Sequence, residues 1–436
     1  MYPTLNNIKK IKLQPTISAV YVNDAGAYDH FNVNETGIEI LLLCNGINSR
    51  EEIIEILSQK YNEDYAIVSE FVDEFIQYSI KLNNITLNEK PMASALKIPQ
   101  IGSKEFWTPY VLCIELTYMC PLKCKHCYLD AGKGDSIDRL LLNRIVNEAI
   151  ELGVDSIQLT GGEPLLYDGI FDAMEQILSN DIEVQLFTSG VINSDQIIKK
   201  FKLLKHDKLS IQVSIDGLEE YHNDFRGVNN CFKESIEFIK SMIGIGIKVS
   251  VATSIIEQSF EEIESLCSLI KELGVDMYRL SATSERGRAK ENGIETTASR
   301  VVNTKEMKRK LSEKYNSDQF IVINDEEDIL QTTSSDSFKN CGMGYNILKV
   351  SPNGDVYPCV ISDIIIGNIK TKTLSDFLKD NCFKFINLER PNKKYCNDCD
   401  FEELCGACIM EGLLYCKKNT ECMWYKEQKD ILQKLL

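Results

Sequence analysis

Six strand-like apolar runs, each followed by a helical pattern, fill residues 110–290, and no other feature restricts the fold as strongly. The runs are LCIEL (112–116), SIQLT (156–160), VQLFT (184–188), SIQVSI (210–215), VSVATS (249–254) and MYRLSA (277–282). Amphipathic stretches such as RLLLNRIVNEAIELG and FEEIESLCSLIKELG lie between them. A helix between two strands returns the chain to the same end of the sheet, so the strands run parallel. The pattern predicts an α/β core over 109–290, with its sheet open or curled into a partial (β/α)6, TIM-like barrel. In such folds the active site lies at the C-terminal ends of the strands.

The flanks read differently. Residues 1–90 predict a separate module. ISAVYVN (17–23) and YDHFNV (28–33) form two strands around a turn at Asp24–Gly26. Asn34 starts the helical run ETGIEILLLCNG, Ser49 caps REEIIEILSQKY, and AIVSEFVDEFIQYSI supplies a third helix. A small sheet with three helices is a winged-helix-like pattern. Residues 91–108 carry Pro91, Pro99 and Gly102 without a period and read as a linker. Residues 291–340 form a polar bridging segment. Residues 341–436 are cysteine-rich, with a hairpin signal at Asn353–Gly354.

The net charge of −17 repels nucleic acid and anionic membrane, so neither is an expected partner. No apolar stretch approaches the ~20 residues of a membrane span. The start, MYPTLNNIKKIKL, lacks the apolar centre of a signal peptide, which predicts a cytoplasmic protein. There are 16 cysteines against 4 histidines. In a reducing compartment, clustered cysteines point to metal or redox chemistry rather than disulfides.

Cys120, Cys124 and Cys127 form C-x3-C-x2-C just after the first core strand. Three thiolates on one loop suit a [4Fe–4S] cluster with its fourth iron open, a seat for an amino-carboxylate chelate; a zinc site is the alternative. Three further features fall at strand ends: Gly161-Gly162-Glu163, where two glycines allow close ligand approach and the carboxylate suits an ammonium; Thr188-Ser189-Gly190; and Ser214-Ile215-Asp216, followed by Arg226. Hydroxyls and a carboxylate suit a ribose, and an arginine suits a carboxylate.

On CPLKCKHC (120–127) and GGEP (161–164), the chain resembles radical S-adenosylmethionine (SAM) enzymes. The resemblance implies that Cys120, Cys124 and Cys127 hold the catalytic, SAM-binding cluster. It also implies that Tyr128, Gly161, Gly162, Glu163, Ser189, Ser214, Asp216 and Arg226 contact SAM. The family often has Tyr or Phe before the third cysteine. Here His126 stands there, with Tyr128 just after.

The C-terminal spacing C-x12-G-x4-C followed by C-x2-C-x5-C-x2-C resembles the auxiliary-cluster domain called SPASM, although its last gap is usually three residues. That resemblance implies two auxiliary clusters. One is held by Cys396, Cys399, Cys405 and Cys422, with Cys416 the other candidate for the fourth place. The second is held by Cys341, Cys359 and Cys408 and has an open or exchangeable iron. A four-thiolate zinc site on Cys396, Cys399, Cys405 and Cys408 is the alternative. In total, three [4Fe–4S] clusters are expected. Cys44, Cys113, Cys231, Cys267 and Cys382 read as small buried hydrophobes.

FNVNETGIEILLLCNG and its order of elements resemble the peptide-recognition module of ribosomal-peptide maturases. There a leader peptide adds a strand to the sheet edge beside the third helix. A DNA-binding wing is disfavoured by Glu51, Glu52, Glu55, Glu63, Asp64, Glu70, Asp73 and Glu74. Together the three parts look like maturases that build thioether bridges in sactipeptides and ranthipeptides, of the subtilosin type. The implied partners are a cysteine-containing precursor peptide and a flavodoxin- or ferredoxin-type electron donor. The alternatives are another leader-dependent modification (a carbon–carbon crosslink or an epimerisation) and formylglycine formation of the anaerobic sulfatase-maturing kind.

Overall fold

The structure is a computed structural model. It describes residues 1–23, 30–94, 97–324, 340–406, 408–419 and 421–435, so the turn expected at Asp24–Gly26 lies outside the described residues. The chain divides into two compact units: Met1–Thr108 with Glu151–Gly153, and Pro109–Ile150 with Val154–Leu436.

In the first unit, β1 (Tyr2–Leu5), β2 (Ile8–Leu13), β3 (Ile17–Val22) and β4 (His30–Asn34) precede α1 (Glu35–Leu43), α2 (Arg50–Tyr61) and α3 (Tyr65–Lys81); β5 (Ile85–Asn88) and β6 (Gln100–Gly102) follow. The helix starts are written locally. The Asn34 side chain accepts from the Gly37 amide, and Ser49 with Glu52 closes a reciprocal capping box. One sheet runs β4-β3-β2-β6, and β1 pairs with β5. The stretch 91–108 is therefore no free linker. Its β6 lies parallel to β2, and Gln14 holds both the amide and the carbonyl of Thr108. A three-residue strand with two flanking prolines has no period to read, and only its pairing partner reveals it.

The second unit is built on β7 (Val111–Glu115), β8 (Ser156–Thr160), β9 (Glu183–Thr188), β10 (Leu209–Ser214), β11 (Lys248–Ile255) and β12 (Met277–Ala282), parallel and in that order. Their crossovers are α4 (Arg139–Glu151), α5 (Ile170–Ser179), α6 (Asp195–Leu204), α7 (Glu219–Arg226) with α8 (Cys231–Gly244), and α9 (Phe260–Glu272). This is the α/β, partial-barrel core read from the alternation.

The bridging segment proves structured where it is described. Short α10 (Arg288–Glu291) leads into it, and it contains α11 (Ala298–Tyr315) and β13 (Ile321–Val322), which extends the sheet beside β12. The buried stripe of α11 includes Thr304, Lys308 and Ser312, so it lacks a hydrophobic period. Beyond it come β14 (Ile347–Val350), β15 (Asp355–Tyr357) and β16 (Gly367–Asn368). The expected hairpin is β14–β15, with Gly354 at a φ of +78° in its turn. Its strand β14 also lies parallel to β7, so the cysteine-rich region continues the core sheet. Helices Leu374–Ile386, Lys393–Cys396, Glu402–Cys405, Ile409–Cys416 and Met423–Leu435 complete the chain. The five cysteines read as hydrophobes are all buried.

Candidate functional site

The loop after β7 returns on itself. The Tyr118 amide donates to Asp135 O (2.9 Å), Gly132 N to Tyr118 O (3.0 Å) and Cys120 N to Gly132 O (3.1 Å). Two outside clamps hold the cysteine turn. At the end of α7, Arg226 O and Phe225 O accept from the Lys123 and Lys125 amides. At the start of α10, the Arg288 amide donates to Cys127 O (2.8 Å), and its guanidinium donates to Cys124 O (3.0 Å) and Ala131 O. A Cβ on Gly287 would lie 2.3 Å from Tyr128 O, so only glycine permits this approach. Arg288 escaped the sequence reading, because nothing in SERGRAK announces a partner about 160 residues upstream.

The three thiols share an apolar setting with Leu122, Val191, Val228 and Cys231. Burial pushes the Cys120 thiol up to about 12 and raises Cys124, which Arg226 draws partly back. His126 stacks on Phe225 with ring centroids 4.7 Å apart, and burial lowers its pKa to about 4. One face of this ring is therefore taken by the chain itself.

Several expected cofactor contacts are engaged within the chain. A Cβ on Gly161 would meet Thr117 O at 2.4 Å, and one on Gly162 would meet Met119 O at 2.3 Å. The two glycines thus admit the cysteine loop's own backbone, where ligand approach was expected. The Gly162 and Glu163 amides donate to those same carbonyls, at 2.7 and 2.8 Å. The Glu163 carboxylate does not reach outward for an ammonium. It is wholly buried and accepts from Thr188 Oγ1 (2.6 Å), Ser189 N (2.9 Å), Ser189 Oγ and Leu165 N. Glu163 and Ser189 thereby lock the ends of β8 and β9 together. Arg226, expected on a carboxylate of the cofactor, is paired with Asp216 at 2.7 Å, and both are buried. Burial alone would raise the Asp216 carboxyl, but Arg226 holds it below the ordinary range. Ser214 is half-buried at the end of β10, and Tyr128 is exposed.

A second feature missed in the sequence lies between β7 and β14. Glu115 and Lys349 form an ion pair at 3.2 Å with exposures of 1% and 4%. Lys349 also donates to Ser362 O and lies 4.4 Å from the Tyr357 ring centroid; Tyr128 Oη stands 3.5 Å from Glu115. Burial raises the Glu115 carboxyl, and Lys349 draws it partly back.

The C-terminal thiols fall into two sets. Cys396, Cys399, Cys405, Cys416 and Cys422 line one cavity with Phe401, Tyr415 and Trp424. Cys405 is pushed up to about 12 by burial and by the charges of Cys396, Cys399 and Cys422. Cys416 couples to Cys422 and donates to Leu413 O (3.3 Å). Cys408, three residues after Cys405, instead couples to Cys341, and Cys359 couples to both. Cys408 thus sits apart from the four-thiolate zinc grouping. Among the described residues no three His, Cys, Asp or Glu side chains converge as they would around one ion. All-sulfur donor sets suit iron–sulfur chemistry.

In the first unit, Asn34, Thr36, Gly37, Ile40, Phe71, Glu74, Phe75 and Tyr78 line a groove of about 670 Å³. It lies between α1 and α3 and reaches Asn34 at the end of β4, the edge strand of its sheet among the described residues.

Comparison with known proteins follows the same division. Residues 114–270 match the radical SAM superfamily, 341–400 an iron–sulfur cluster-binding (SPASM) domain, and 20–80 the coenzyme PQQ synthesis protein D family. The chain is 25% identical to the antilisterial bacteriocin subtilosin biosynthesis protein AlbA of Bacillus subtilis, covering 99% of this chain and 98% of that one. It is 28% identical to the sporulation killing factor maturation protein SkfB of the same organism, over 63% and 66% of the two chains. The structure of Streptococcus suis SuiB bound to precursor peptide SuiA superimposes with a TM-score of 0.68 at 17% identity, covering 96% of this chain and 99% of that one. Among the described residues no helix is long and apolar enough to cross a membrane. The chain thus carries a radical SAM superfamily domain over residues 114–270, joined to a SPASM iron–sulfur cluster-binding domain and a PqqD-like domain.

Proposed function

We propose that this protein forms thioether crosslinks, cysteine sulfur to carbon, in a ribosomally made precursor peptide. The observation that carries the reading is the division of the C-terminal thiols. Five thiols, Cys396, Cys399, Cys405, Cys416 and Cys422, line one cavity, and Cys341, Cys359 and Cys408 stand outside it; three thiolates are one short of a four-thiolate cluster site, which would seat a substrate thiolate. Similarity over nearly the whole length to a subtilosin biosynthesis protein supports it.

SAM and multiple [4Fe–4S] clusters are the cofactors of these domains; when bound, they supply a carbon radical able to take a hydrogen atom from substrate, and a sink for one electron. The chain's own residues do the rest. Cys120, Cys124 and Cys127 hold the catalytic cluster. Arg288 and the end of α7 fix the shape of their loop. Glu163 and Ser189 act by position, keeping the Gly161–Glu163 turn against that loop. Asp216 and Arg226 act as a pair beside Cys124. Ser214 and the exposed ring of Tyr128, whose hydroxyl is turned to Glu115, remain available for direct contact. Cys396, Cys399, Cys405 and Cys422 hold one auxiliary cluster, and Cys341, Cys359 and Cys408 the other. For each bridge the peptide loses a C–H hydrogen atom, a thiol proton and one electron, a two-electron oxidation. A flavodoxin- or ferredoxin-type donor and a cytoplasmic setting complete the proposal.

Anaerobic reconstitution tests it. Three clusters give roughly 12 irons per chain, and roughly 8 in a Cys120/Cys124/Cys127→Ala variant. A cysteine-bearing precursor then loses two hydrogens per bridge. About 4 irons with bound zinc would refute the auxiliary-cluster reading. Turnover of a cysteine-free precursor would favour carbon–carbon bond formation or epimerisation.

A further inference from the structure

On the reading of the first-unit groove as the leader site, we infer that it selects a leader segment with alternating apolar residues and a lysine or arginine among them. The groove wall is a stripe on α3, Phe71, Glu74, Phe75 and Tyr78, at helical spacings of three and four. It lies off the helix's buried face of Val72, Ile76 and Ser79. Phe71 and Tyr78 are 62% and 57% exposed, a large apolar area to leave in water. Gly37 keeps the opposite wall low, because a Cβ there would strike Val33 at 2.5 Å and Phe75 at 3.0 Å.

The last residue of β4, Asn34, lines the groove, and among the described residues the five-residue β4 is paired only with β3. An added strand of about that length directs alternate side chains toward α3, so two or three reach the wall. Aromatic rings call for apolar partners at most of these positions. Glu74 sets the exception, standing amid the stripe. Neighbouring acids are matched within the unit: Glu39 by Lys60, Asp73 by Arg50 and Glu35 by Lys104. Glu74 has no ion-pair partner among the described residues, and neither has Glu70 one turn earlier. A lysine or arginine on the inward face can lay its aliphatic stem over Phe71 and Phe75 and bring its charge to Glu74. An acidic residue there would face repulsion, and a neutral one would gain only packing.

The probes are fluorescein-labelled synthetic peptides with the core Ile-Ser-Lys-Ser-Ile, and the same core with Gln or Glu at its centre. Their binding to the full-length protein is read by fluorescence anisotropy at low salt. The Lys peptide should bind about three- to tenfold more tightly than the Gln peptide, and the Glu peptide most weakly. Glu74→Gln should abolish the order and Glu74→Lys should reverse it. These side chains line an open groove, and circular dichroism verifies that the variants fold. An unchanged order in Glu74→Lys, with binding lost in Phe71→Ser, refutes the charge rule and leaves the groove reading standing. Absence of binding to the wild type, or binding untouched by Phe71→Ser and Tyr78→Ser, overturns the groove reading itself. Dimerisation abolished by Phe71→Ser would assign the groove to a second copy of the chain and overturn both.

Discussion

Replacing Lys349 by Met would strip a buried carboxylate of its counter-charge while keeping the volume of the site. Glu115 is 1% exposed, and its remaining neighbours are the hydroxyls of Tyr128, 3.5 Å away, and Tyr118. Breaking one side of a buried ion pair costs about 3–5 kcal/mol. The protein has one escape, which is to protonate Glu115. Each unit by which the pH exceeds the unfolded carboxyl's pKa of about 4.3 then costs about 1.4 kcal/mol, until the ionised form becomes the cheaper state. A folded carboxyl held above its unfolded value keeps its stability in acid and loses it as the pH rises through the folded value. Burial already raises Glu115 in the wild type, and loss of Lys349 raises it further. The Lys349→Met variant should therefore be near wild type at pH 5 and about 3–5 kcal/mol weaker at pH 8. Anaerobic urea unfolding followed by circular dichroism measures this. Adding Glu115→Gln should recover most of the loss and flatten its pH dependence. A deficit below about 1 kcal/mol that is the same at pH 5 and pH 8 would refute the reasoning.

Removing the Arg288 side chain (Arg288→Ala) should loosen the cysteine loop without unfolding the core, since its donors go to Cys124 O and Ala131 O. Hydrogen exchange at residues 120–132 should rise by about one to two orders of magnitude, with β8–β11 unchanged. Cys416→Ala should retain the full iron content and Cys422→Ala should lose about one cluster, because Cys405 couples to Cys422. Equal losses, measured by iron and sulfide analysis, would contradict the assignment. In the metal-free protein, Cys120, Cys359 and Cys405 should alkylate on the order of a thousandfold more slowly than a free thiol at pH 8, since burial pushes each to about 12. Exposed Cys341 should react first, as read by mass spectrometry.

The residue pattern alone marked the two thiol clusters and most of the elements that carry them. Periodicities of two and 3.6 marked the core strands and crossover helices, because each half-buried element writes its period into neighbouring residues. The capping residues Asn34 and Ser49 marked their helix starts for the same local reason. The spacing of Cys120, Cys124 and Cys127 named a cluster loop, since one turn of backbone brings those thiols together. Tertiary structure decided what distant residues do to one another. It sent Glu163 inward to Ser189 and matched Arg226 with Asp216. It also laid β14 against β7, joining Lys349 to Glu115 across more than two hundred residues of chain. Such pairings depend on how the sheet closes around its edges, and two side chains that meet only there leave no period or spacing in the sequence.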